Sequence, residues 1–83
     1  MEKITLIRTS IDVMDEQIMA LLEERFNASL KIGALKKASN QPVLDSTREQ
    51  FILNKIAGYS NKEAIHQVYL TILEASKLLQ KKR

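Results

Sequence analysis

The feature that most limits the fold is a proline-free stretch from Ile4 to Lys37 that holds a single glycine, Gly33. Along it Ile4, Ile7, Ile11, Met14, Ile18, Leu21, Ala28, Ile32 and Leu35 recur at alternating three- and four-residue steps. That is a heptad seam, the pattern of helices packed along their length. About 34 residues at ~1.5 Å each span ~50 Å, whereas a compact globule of this chain length is only about 30 Å across. The helix must overshoot its own fold by roughly 20 Å, and the overhanging seam needs cover from another chain. Two-fold assemblies are the commonest, so an intertwined helical homodimer is expected.

The remaining chain reads as two shorter helices. The segment "ASNQPVL" ends the first helix at about residue 37, with Pro42 barring continuation. After a loop over 38–45, Ser46 followed by Glu49 has capping-box spacing, and Asp45 is a rival N-cap. The second helix, about 46–57, is expected to turn Phe51, Ile52 and Ile56 inward, with Gly58 as its stop. Asn61 can cap a third helix of about 62–80, whose stripe is Ile65, Val68, Ile72, Ala75 and Leu79. No strand-like alternation occurs. The expected fold class is all-α: three helices per chain, one very long, in a single domain over 1–83.

Composition removes several alternatives. With 83 residues, no cysteine and one histidine, neither disulfides nor a structural zinc site can reinforce the core. Oligomerisation is the reinforcement left. The stretch "MEKITLIRTSID" is charged throughout and lacks a signal-peptide core, and no apolar run reaches membrane-spanning length. A cytoplasmic protein with no membrane partner is expected. The net charge of +3 is spread among acids, the closing "KKR" reads as a solvated end, and no recognition motif or stacking aromatics accompany it. Nucleic acid is therefore not an expected partner.

A set of polar residues falls on otherwise apolar faces. Arg25 breaks the seam, either snorkelling from its edge or facing a ligand. Lys36 follows 11 residues later, a net rotation of only ~20° and a rise of ~16 Å, so the two cations share a face and can hold a small dianion between them. On the third helix Tyr69, Leu73, Ser76 and Gln80 form a second stripe beside the apolar one. The stretch "PVLDSTRE" crowds Asp45, Arg48 and Glu49 together. Taken singly each of these is an ordinary boundary residue. Together they make a polar set placed for a bundle interior, where buried charge needs a partner and an anionic ligand supplies one. Arg8 lies ~25 Å from Arg25 and ~42 Å from Lys36 along one helix. It is either a solvent-facing charge or a residue that reaches the site of a partner subunit.

The blocks "IRTSIDVMDEQIMALLEERF", "IGALKKASNQPVLDSTRE" and "ILEASKLLQ" resemble the all-helical chorismate mutases across nearly the whole chain. The long "DxxIMxLLxER" helix, the "G-x-x-K" step, the "P-V-x-D-x-x-R-E" start of the second helix and the final Ser…Gln pair come in family order. The resemblance implies an intertwined dimer with two equivalent sites and the rearrangement of chorismate to prephenate, without cofactor or metal. It implies Arg25 and Ser76 as carboxylate contacts and Arg8 as the arginine lent by the partner subunit. Lys36 matches the lysine that touches a carboxylate and the ether oxygen, and Gln80 the second donor to that oxygen. Asp45 and Glu49 match groups around the ring hydroxyl, with Arg48 as their charged neighbour. The segment "AGYSNKEAIHQ" is shorter than in longer relatives.

A pericyclic shift requires no nucleophile and no obligatory proton transfer, so a chain without cysteine or a catalytic triad is adequate to it, and His66 is expected at the surface. An isochorismate pyruvate lyase on the same scaffold and a non-catalytic dimerisation module are the rival readings. The intact polar set favours the mutase, since a scaffold would gain by filling those positions with apolar side chains.

Overall fold

The computed structural model describes residues 2–82; Met1 and Arg83, the last residue of the basic run, lie outside them. Three α-helices follow one another, α1 over Glu2–Ala38, α2 over Ser46–Asn54 and α3 over Lys62–Lys81, with a 3-10 turn over Lys55–Gly58 between the last two. The fold is all-helical. The chain measures 55 × 25 × 14 Å, and its radius of gyration is 16.1 Å, against about 12 Å for a compact chain of this length. The excess is α1, whose N-terminal half extends beyond the rest.

The ends of α1 follow simple electrostatics and sterics. Glu2 lies in its first turn, and Lys36 and Lys37 lie in its last, each complementing the helix dipole. The helix is stopped by Asn40, which adopts a left-handed φ of 57° two residues before the proline. Gln41 N–H donates to Lys36 O (2.8 Å) and Asn40 N–H to Lys37 O (3.3 Å). This closure satisfies carbonyls that the helix end leaves bare.

Asp45, not Ser46, caps α2: its Oδ1 accepts from Arg48 N–H at 3.0 Å. The capping-box reading is therefore replaced, and Glu49 is released from any duty at the helix start. Two further expectations also change. Gly58 has no positive φ, because α2 tightens into the 3-10 turn from Lys55 and needs no left-handed stop. Asn61 stands at the N-cap of α3 without a side-chain capping bond.

The buried apolar side chains among the described residues are Ile52, Ile56 and Leu73. Phe51 is not among them. It lies exposed on α2, with the Arg48 guanidinium 5.5 Å and Lys55 Nζ 4.6 Å from its ring centre, so two cations shield it in place of a core. On α3 the buried positions are Leu73 and Ser76. The stripe carrying polar groups thus faces inward, and of the apolar stripe beside it Ile65, Ile72, Ala75 and Leu79 are half-buried and Val68 is exposed.

Helix α1 presents two faces. Ser29 and Gly33 are its buried residues, and they lie against α3. The seam residues Ile4, Ile7, Ile11, Met14, Ile18 and Leu21 are between 44% and 64% exposed. No helix among the described residues is long and apolar enough to cross a membrane.

Candidate active site

The backbones of α1 and α2 both border α3 or its preceding turn but stay apart from one another. The space between them is a cavity of about 380 Å³, lined by Arg25, Ser29 and Lys36 of α1, Val43 and Asp45 of the loop, Arg48, Glu49 and Ile52 of α2, and Leu73, Ser76, Lys77 and Gln80 of α3. That volume falls within the range of small-molecule sites. Seven of the eight residues singled out in the sequence therefore line one cavity: Arg25, Lys36, Asp45, Arg48, Glu49, Ser76 and Gln80. Arg8 is not brought there. It is exposed on the projecting half of α1, ~25 Å from Arg25 by helical rise.

Several of these side chains are fixed by their surroundings. Arg25 Nη1 donates to Ser76 Oγ at 2.8 Å, which joins α1 to α3 across the floor of the cavity and orients the guanidinium. Lys36 Nζ donates to the carbonyl of Val43 at 2.9 Å. Since Lys36 O also receives Gln41 N–H, the returning loop holds this lysine at both ends. Asp45 is engaged by its capping bond. Glu49 Oε2 meets Lys77 Nζ at 3.2 Å, and the same ammonium lies 3.5 Å from Glu74 Oε1. Lys77 is held above its ordinary lysine value of 10.5, chiefly by the hydrogen bond to Glu49 and against a smaller opposing effect of desolvation.

Gln80 is placed by backbone contact. A Cβ on Gly33 would stand 2.6 Å from both the Cα and the carbonyl oxygen of Gln80. Only glycine lets α1 approach the end of α3 this closely. Gln80 Oε1 is buried and has no hydrogen-bond partner among the described residues. A buried, unpaired amide is costly without a partner, and its two-fold terminal torsion lets it offer either oxygen or N–H₂. It is a polar end left unpaired at the wall of the cavity.

The charges have a definite arrangement. Four cations, Arg25, Lys36, Arg48 and Lys77, face two carboxylates, Asp45 and Glu49, a surplus of two positive charges. The hydrogen bonds of Arg25 and Lys36 go to neutral oxygens, while among the described residues the ion pairs are those of Lys77. Such a cavity suits a small dianion that also carries hydrogen-bonding oxygens. No group of three His, Cys, Asp or Glu side chains suited to a metal occurs among the described residues, and His66 lies in a separate groove with Leu53 and Lys62.

The family model for type II chorismate mutases matches residues 7–81. The chain belongs to the type II chorismate mutase family. Among its relatives, the bifunctional chorismate mutase/prephenate dehydratase of Aquifex aeolicus is 34% identical over 99% of this chain and 25% of its own length. That of Escherichia coli is 32% identical over 89% of this chain and 20% of its own. The chain thus spans about a quarter or less of these bifunctional relatives. The chorismate mutase of Methanocaldococcus jannaschii is 27% identical over 96% of this chain and 86% of its own length. In structure, a conserved hypothetical protein from Pyrococcus furiosus superposes with a TM-score of 0.84 at 33% identity, covering 95% of this chain and 96% of that one.

Three lining residues of this type II chorismate mutase chain escaped the sequence reading. Ser29 carried a signal, since it lies four residues after Arg25 and seven before Lys36 on the same helical face. The Val43 carbonyl is a backbone group, which side-chain patterns cannot reveal. Lys77 meets Glu49 only through the packing of α2 on α3, and no local spacing marks that pair.

Proposed function

We propose that this chain is a chorismate mutase, an isomerase converting chorismate to prephenate, acting as a single-domain cytoplasmic homodimer. The observation that carries the reading is the cavity's surplus of positive charge, with Arg25 and Lys36 bonded only to neutral oxygens and a buried Gln80 amide beside them. Chorismate is a dicarboxylate with an ether oxygen and a ring hydroxyl, so its functional groups match the cavity in number and charge.

In the rearrangement the ether C–O bond breaks as a new C–C bond forms within one molecule, with no group lost or gained. The residues act in two ways. Arg25, supported by Ser76, grips one carboxylate, and Arg48 lends charge beside the ring, where Asp45 and Glu49 accept from the hydroxyl. Holding both ends of the flexible enolpyruvyl arm over the ring converts a rare conformer into the bound one. Negative charge grows on the ether oxygen as its bond lengthens. Lys36, pinned by the Val43 carbonyl, and the Gln80 N–H₂ donate to it, and each such preorganised donor is typically worth about 3 kcal/mol of barrier.

The dimer is supported by the exposed seam on α1 and by the shape of the chain. A two-fold partner lying along Ile4–Leu21 would cover side chains now in water and would carry Arg8 of the partner subunit toward the second cavity. The test is loss of chorismate absorbance with the purified protein, with prephenate identified as product and Lys36→Ala as control. Loss to prephenate in the wild type alone supports the reading. Pyruvate and salicylate from isochorismate, with chorismate untouched, would replace it by the lyase.

A further inference from the structure

A cavity that holds both cations and carboxylates has a hazard built in. Its own acids can neutralise the cations meant for the ligand. Here Glu49 shares the cavity with Arg25, Lys36 and Arg48, and its side chain is long and only a quarter exposed. A carboxylate in that position gains by pairing with whichever cation it reaches, and a substrate dianion must then break the pair before it binds.

The structure avoids this. Asp45 is committed to the backbone of α2 through Arg48 N–H. Glu49 is committed to Lys77, 3.2 Å away on α3. Arg25 and Lys36 keep neutral partners, Ser76 Oγ and Val43 O, which a carboxylate readily displaces or joins because charge-assisted hydrogen bonds are about twice as strong as neutral ones. We propose that Lys77 is a positioning residue of the site, a decoy cation that holds the Glu49 carboxylate away from the substrate-binding cations and presents it to the substrate hydroxyl. This rests on the dicarboxylate-binding reading above and extends it to a residue that reading does not use.

The geometry suits the task. Lys77 directly follows Ser76, so the ammonium that retains Glu49 and the hydroxyl that orients Arg25 issue from consecutive positions of one helix. Glu74, one turn back at 3.5 Å, steadies Lys77 from outside the cavity lining. The ion pair uses Oε2 of Glu49, and a carboxylate with about four lone-pair sites retains capacity on Oε1 for a ligand hydroxyl. The hydrogen bond to Glu49 raises the Lys77 pKa above its ordinary value, as an ion pair requires.

A double-mutant cycle tests the proposal, with KM and kcat measured separately for wild type, Lys77→Met, Glu49→Gln and the double variant, and with Lys77→Arg as the conservative control. Freed from Lys77, Glu49 turns to the binding cations. KM for chorismate is expected to rise up to about fivefold with kcat changed less, the size of one partly exposed ion pair that the substrate must break. Lys77→Arg restores the wild-type KM. In the Glu49→Gln background the Lys77→Met change has no further effect on KM, because no carboxylate remains to misplace. Circular dichroism and melting confirm that all variants are folded. A Lys77→Met enzyme with wild-type KM would reduce the contact to an ordinary surface pair and overturn the proposal. So would an equal rise in KM with and without Glu49, which would make Lys77 a direct substrate contact. If the wild type leaves chorismate unchanged, the reading of the function fails instead. Calorimetric binding of phthalate, a dianion that cannot rearrange, then decides on Lys77 by the same cycle.

Discussion

Replacing Gly33 by alanine is the sharpest test of how the fold places Gln80. The new Cβ would lie 2.6 Å from Gln80 Cα and Gln80 O and 3.0 Å from Gln80 C, where ordinary contact begins at 3.4 Å. All three atoms are backbone, so no side-chain rotation relieves the clash. The end of α3 must move from α1 by about 0.8 Å, the difference between those distances, taking the amide of Gln80 with it. For stability two effects oppose one another. Overpacking costs about 1–3 kcal/mol, while alanine in a helix interior gains about 1 kcal/mol over glycine, and no positive φ at Gly33 offsets that gain. The net loss is about 0–2 kcal/mol, a fall in Tm of up to ~15 °C for a domain of this size. For catalysis nothing opposes the shift. Misplacement by about an ångström costs on the order of 100-fold in rate.

The expected variant is therefore folded, with kcat reduced 30- to 100-fold or so and KM little altered, because the binding cations sit on parts of α1 and α2 that need not move. Circular dichroism melting and steady-state kinetics at a temperature well below both transitions measure the two effects separately. A Gly33→Ala protein with wild-type kcat and a raised Tm would refute the reasoning, since it would mean that helix propensity prevails and the close approach does not set the position of Gln80.

Three further outcomes are expected. Arg25→Leu removes the guanidinium bonded to Ser76 beside an apolar groove of Ile18, Leu21 and Ile72; activity should fall at least 100-fold while urea stability stays level or rises, and a stable, active variant would remove Arg25 from the proposed site. Ile11→Lys lies on the exposed seam and would alter an isolated chain by no more than about 0.5 kcal/mol, but would bury two charges in a two-fold dimer; sedimentation should show dissociation with loss of activity, and an unaltered mass equal to one chain in both proteins would refute the dimer. Because Glu49 holds the Lys77 pKa above 10.5, folding favours the charged ammonium, so its contribution is whole below 10.5 and fades as pH rises through the higher folded value. Urea unfolding of wild type and Lys77→Met should show a steady small gap from neutral pH to about 10 that narrows beyond, and a gap that widens with alkalinity would contradict the assigned pairing.

What the sequence revealed and what it concealed divide along the range of the interactions. Period and proline placement are local, and from them came the long α1, the all-helical class and the three-helix order. The stop at Asn40 instead of Pro42 and the cap at Asp45 instead of Ser46 depend on φ angles and on one hydrogen bond, which the residue types permit in more than one way. Phe51 misled because apolarity was equated with burial, while Arg48 and Lys55 on the same helix provide an exposed ring with company. On α3 the choice between two adjacent stripes turned on what each would face. Leu73 and Ser76 of the stripe that carries polar groups are buried, while Ile65, Ile72, Ala75 and Leu79 of the apolar stripe are half-buried. The Glu49–Lys77 pair joins positions 28 residues apart and leaves no local trace.

The polar interior and the exposed seam have one physical origin. A chain of 83 residues has few surfaces to bring together, and here the inner ones are given largely to the cavity. Ser29, Gly33 and Ser76 occupy buried positions where an isolated domain would place large apolar side chains. Arg25, Lys36 and Gln80 stand around them, and among the described residues the buried apolar side chains are Ile52, Ile56 and Leu73. Such an interior suits the charged ligand proposed above and contributes little hydrophobic stabilisation, since each buried side chain is worth only about 1.5–3 kcal/mol. The apolar residues that would have made a core are found instead along the outer face of α1. Under the proposed dimer this exchange is coherent: contact between two chains supplies the stability that each cavity gives up, and the same contact brings Arg8 to the cavity it cannot reach within its own chain. Stability and substrate binding would then fail together when the seam is broken, whereas changes at Arg25 or Lys36 would separate them.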